Sequence, residues 1–101
     1  MSYFMYDVMG GTADEPDAEG MGRLLDGLAQ ADDEHPDVSL THESGWCLSA
    51  FRGGLLVWEN PDEDAVAPGE MRDVTRDETL RLFGLPAAGD LAAAEASPWR
   101  R

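Results

Sequence analysis

Three short runs between residues 38 and 59 leave little freedom in how the middle of this chain can fold. Val38-Ser39-Leu40-Thr41-His42-Glu43 alternates apolar and polar residues with the period of two of a half-buried strand. Trp46 to Phe51 and Leu55 to Glu59 follow it, across Ser44-Gly45 and Arg52-Gly53-Gly54. Both connections carry turn signals of hairpin length. An antiparallel meander results, each strand bonded to the next.

Register follows from the turns. Read as a two-residue turn, Ser44-Gly45 puts Glu43 opposite Trp46, His42 opposite Cys47 and Leu40 opposite Ser49. Side chains alternate between faces, so Val38, Leu40, His42, Cys47, Ser49 and Phe51 share one side. An even-length turn around Gly53 adds Leu56 and Trp58 to it, and this is the expected core. Trp46, Leu48, Leu55 and Val57 then form an apolar patch on the other side, either covered by a helix or serving as an interface.

The flanks supply the remaining elements. Tyr3 to Met9 reads as a strand running into Gly10-Gly11, and Thr12 to Asp17 as an acidic loop. Met21, Leu24, Leu25 and Leu28 recur at helical spacing behind Pro16, with Asp14 or Glu15 as cap and an end near Ala31. Met71 to Val74 fits a short edge strand. Thr75-Arg76-Asp77-Glu78 is a capping box opening a helix that Pro86 should kink or stop. Asp90 caps a last helix, Leu91 to Ala96, and Trp99 is free to fold back onto the core. The expected fold is one α+β domain over residues 1–101. Its single antiparallel sheet has four to five strands in the order β-α-β-β-β-(β)-α-α, with helices on at least one face.

Charge narrows the partners. The 101 residues carry 21 acids against seven bases, a net charge of −14, and ten of the acids lie from Asp7 to Asp37. Such a surface repels phosphate backbones and anionic lipid, which argues against nucleic acid and membranes and for a basic protein partner. Every base is arginine, which reads as coding bias. No basic, apolar leader opens the chain, and no run reaches the ~18 apolar residues of a membrane span. One cysteine suits a reducing compartment, so the expected location is cytoplasmic, as monomer or homodimer.

Three functional classes stand open. The leading one is a non-enzymatic interaction domain, an inhibitor or immunity-like protein mimicking phosphate with carboxylates; its candidate contacts are Trp46, Leu48, Leu55, Val57, Asp32, Asp33 and Glu34. The second is a small enzyme. The two-residue turn sets His42 beside Cys47, where an imidazolium would lower the thiol pKa and yield a nucleophile. The third is a metal-binding domain using the carboxylates of Asp32, Asp33, Glu34 and Asp37 with His35, or of Asp62-Glu63-Asp64, although neither run has the spacing of a calcium loop. Gly10-Gly11-Thr12 lacks the lysine and glycine spacing of a phosphate loop. No cofactor is implied.

Overall fold

The computed structural model describes residues 2–32, 37–61 and 67–101. Its strands are β1 (Tyr3–Tyr6), β2 (Thr12–Asp14), β3 (Asp37–His42), β4 (Cys47–Phe51), β5 (Leu55–Glu59) and β6 (Gly69–Met71). Its helices are α1 (Ala18–Asp26), extended by a 3₁₀ turn over Gly27–Gln30, α2 (Arg76–Ala87) and α3 (Leu91–Glu95). All strands pair antiparallel in one sheet of order β2-β1-β3-β4-β5-β6. The α+β class and the meander stand as expected, with six strands instead of four or five.

The additional strand and the one shifted strand lie at the sheet's margins. Residues 12–14, expected as loop, form β2 because the chain doubles back on β1, pairing Met5 with Ala13. The carboxylate of Asp7 makes that reversal, accepting from the amides of Met9 and Gly11 at 2.9 Å each. At the far side the edge strand sits earlier than expected, over Gly69–Met71. Gly69 permits it: a Cβ there would stand 2.6 Å from Cβ of Trp99, which folds back against this strand.

Caps set the helix starts. Asp17, not Asp14 or Glu15, caps α1 by accepting from the Gly20 amide at 2.8 Å. Thr75 caps α2 through the Glu78 amide, while the Glu78 carboxylate turns to Arg81 instead of closing the capping box. Asp90 caps α3. Pro86 does not stop α2 but lies buried inside its last turn, where the lost amide interrupts only the end of the hydrogen-bond ladder.

All three helices pack on one side of the sheet. Met21 and Leu25 of α1, Leu82 and Phe83 of α2 and Ala94 of α3 enclose a core with Met5, Val38, Leu40, Leu48, Ala50, Leu56 and Trp58. Each buried Leu contributes about 1.5–3 kcal/mol by leaving water. Every sheet residue in this cluster comes from the same face. The three tryptophans extend the core as a stack, Trp46 on Trp58 at 4.8 Å and Trp58 on Trp99 at 6.1 Å between centroids. The indole N–H of Trp58 donates to Glu95 Oε2 at 2.6 Å, tying the sheet to α3.

Candidate functional site

The β3–β4 hairpin decides which residues meet. Its turn holds three residues, Glu43-Ser44-Gly45: the His42 amide donates to the Trp46 carbonyl and the Gly45 amide to the His42 carbonyl, both at 2.9 Å. Gly45 at φ +97° takes the left-handed step that such a three-residue turn requires. Thr41 therefore opposes Cys47, and Leu40 opposes Leu48, one residue away from the two-residue register. The β4–β5 turn is also odd in length, with Phe51 opposite Leu55.

The predicted His42–Cys47 pair is thereby separated onto opposite faces. His42 is buried on the helix side, its Nδ1 accepting from the Ser44 amide at 3.0 Å and lying 2.8 Å from the Ser44 hydroxyl. An accepting Nδ1 leaves the proton on Nε2, which has no hydrogen-bond partner among the described residues. Histidine here braces a turn. Cys47 lies on the other face, its Sγ 3.3 Å from the Thr41 hydroxyl. Burial pushes its thiol pKa up, the Glu59 and Asp37 carboxylates add to the rise, and only the Thr41 contact opposes it. That is the reverse of what a thiolate nucleophile needs.

The expected Trp46 patch is split in the same way. Leu48 is 1% exposed in the core, and Trp46 packs over Trp58 on the helix side. Leu55 and Val57 remain on the opposite face, half-buried. Asp32 is exposed beyond the 3₁₀ turn. Asp33, Glu34 and His35, like Asp62-Glu63-Asp64, lie outside the described residues. Among the described residues no group of three or more His, Cys, Asp or Glu side chains is placed to hold a metal ion. No helix among them is long and apolar enough to cross a membrane. The amides after Gly10 are no phosphate cradle, since the Asp7 carboxylate already takes that of Gly11.

What the register creates instead is a sheet face that carries none of the three helices. Its residues form three rows across the strands. One row runs Thr12, Tyr6, Ser39, Ser49, Val57, Glu70. The next runs Asp14, Phe4, Thr41, Cys47, Glu59, and the last Asp37, Phe51, Leu55. Ser39, Thr41, Cys47 and Ser49 make a trough of small side chains down β3 and β4. Phe4 and Tyr6, edge to face at 5.2 Å, wall it on one side, with Leu55 and Val57 on the other. Strands lie about 4.8 Å apart, so the backbones of β1 and β5 stand about 14 Å from each other, three spacings, while Phe51 on β4 closes one end of the trough. Acids occupy the margins: Asp14, Asp37, Glu59 and Glu70, the last bonded to Arg72.

Phe4, Tyr6 and Phe51 lie outside the patch expected from the two-residue register. The aromatic run Tyr3-Phe4-Met5-Tyr6, bulky at successive positions, is the signal for two occupied faces. Elsewhere, a cleft of about 330 Å³ opens beside the β4–β5 turn, lined in part by Leu25, Leu28, Leu56 and Val74 with Arg52 and Arg76. Arg76 is engaged there, reaching Asp26 at 2.9 Å and the Gly22 carbonyl at 3.1 Å. Comparison with protein-family models, curated proteins and solved structures finds no match for the chain.

Proposed function

We propose that the chain is a non-enzymatic protein-interaction domain that binds a basic protein in the cytoplasm, in the manner of a small inhibitor or immunity protein. The observation that carries this reading is the helix-free sheet face, with aromatic and aliphatic walls around a trough and carboxylates at its margins. Tyr6 is 41% exposed on it, and large aromatics on a solvent-facing sheet are the anchors protein interfaces favour. The trough, framed by side chains on β1 and β5, takes side chains projecting from a helix or loop laid across it. Net charge gives the partner's sign: at −14 two copies repel, whereas a basic surface is steered in.

The test is affinity capture from the lysate of the source organism, with the native chain and a Phe51→Ser/Leu55→Ser variant side by side. The expected result is a basic protein held by the native chain, lost with the variant and released as salt rises. Equal capture by both proteins, or capture indifferent to salt, overturns the reading. Both substitutions lie outside the core cluster, so the variant's melting curve serves as the control for folding.

A further inference from the structure

The two edges of the sheet are treated differently. The outer side of β6 is closed: Glu70 and Arg100 exchange both backbone hydrogen bonds at 2.9 Å in an isolated antiparallel bridge. The outer side of β2 has no such partner among the described residues. In an antiparallel pair, alternate residues turn both backbone groups toward the neighbour and the rest turn them away. The Asp7 amide donates to Gly11 and the Glu15 amide to Tyr3, so Gly11, Ala13 and Glu15 face β1. Thr12 and Asp14, both exposed, direct their amides and carbonyls outward.

Side chains around this edge specify what would add to it. Thr12 and Asp14 lie on the helix-free face, and Glu15 follows directly. Ala13 points the other way, into a groove of about 430 Å³ between β2 and α1, walled by Val8, Met9, Pro16 and Leu24. Met9 is 70% exposed there. The groove's base, Arg23, is held by Glu19 at 3.0 Å. A strand laid against β2 would alternate in step with it. The residues beside Asp14 and Thr12 share the acidic face, and the residue beside Ala13 enters the apolar groove.

We infer that β2 is a strand-addition site for an extended basic–apolar–basic segment of a partner protein. The segment pairs its backbone with Thr12 and Asp14, sets a basic side chain beside Asp14 and lowers its apolar residue into the groove next to Ala13. This inference rests on the basic-partner reading and gives it a second, backbone-mediated contact. The acids suit that occupant and disfavour the alternative one. In a two-fold pairing of β2 with itself, Asp14 would lie across from Thr12 of the other copy, and two chains of −14 each, −28 together, would be brought edge to edge. Short, charged edges discourage self-pairing in this way, and the same charges attract a basic strand.

The experiment uses the full chain with the peptide acetyl-Arg-Val-Arg-Val-Arg-amide, and the same peptide with glutamate in place of arginine as control. Amide hydrogen exchange at Thr12 and Asp14 should slow about tenfold or more with the arginine peptide and stay unchanged with the glutamate peptide. Thr12→Pro removes an outward amide without taking a bond from the β1 ladder, and should abolish binding; Asp14→Asn, which leaves the backbone intact, should weaken it. Peptide binding that leaves both amides exchanging freely, or no peptide binding at all, overturns the inference. If lysate capture through the sheet face persists in either case, the basic-partner reading survives separately. Protection of both amides without peptide, rising with protein concentration, assigns the edge to a second copy and overturns it as well.

Discussion

Thr41 stands directly across from Cys47, hydroxyl and thiol 3.3 Å apart, and this pairing sets the facing of every residue in the hairpin they share. It brings Leu48 and Ala50 into the core beside Leu40 and Val38, and turns Cys47, Ser49 and Phe51 outward. The facing of two adjacent strands thus depends on one extra residue in a turn.

The first prediction tests that facing. Leu48→Ala should destabilise the protein by about 2–5 kcal/mol, the range for truncating a buried leucine. Val57→Ser, on the helix-free face, should stay within about 1 kcal/mol. Urea titrations of the two variants give both numbers. Losses of equal size would mean that the two faces have been assigned wrongly.

The second concerns Cys47. With its pKa raised by burial, then by Glu59 and Asp37, the folded protein holds the neutral thiol. Iodoacetamide should therefore react more slowly with native than with urea-unfolded protein near neutral pH, the native rate rising only above the ordinary thiol range. The linked stability has a definite sign. It is whole below the unfolded thiol's pKa and declines as pH climbs from there to the raised folded value, because the unfolded chain loses its proton first. Native alkylation as fast as that of the unfolded chain would contradict this.

The third concerns the indole of Trp58, fully buried with its N–H on Glu95 at 2.6 Å. Glu95→Ala strands that donor and should cost about 1–3 kcal/mol, while Glu95→Gln keeps an acceptor and should recover most of the loss. Thermal denaturation of the pair distinguishes the hydrogen bond from the contact between Glu95 and Arg101, which both substitutions weaken.

Much of the fold was readable because hydrophobic period and cap chemistry act locally. Leu55–Glu59 has the expected bounds, and Thr75, Asp90 and the Met21–Leu25 helix face do as their sequence neighbours dictate. The turns were harder. Ser44-Gly45 looks like a two-residue connection, yet Glu43 joins it, since Gly45 takes the left-handed step of a three-residue turn. A second odd turn at Arg52-Gly53-Gly54 reverses the facing again, so Leu56 and Trp58 reach the core as expected although the strand between them and Leu40 is inverted. The site suffered most from this. The expected patch kept Leu55 and Val57, lost Trp46 and Leu48 to the core side, and omitted Phe4, Tyr6 and Phe51. β2 had no signal of its own, because Thr12-Ala13-Asp14 is polar and becomes a strand only through its neighbour.

The tryptophan stack has a spectroscopic consequence. All three indoles of the chain sit in one near-parallel column, inclined by 5° and 9°. Their transitions are close enough to couple, so ultraviolet emission and near-ultraviolet dichroism report one locus, the junction of the β3–β4 turn, β5 and the segment around Trp99. The helix-free face carries only Phe4, Tyr6 and Phe51 as chromophores. A partner arriving there would leave the indole signal almost unchanged, whereas loosening of the Trp99 segment would alter it at once.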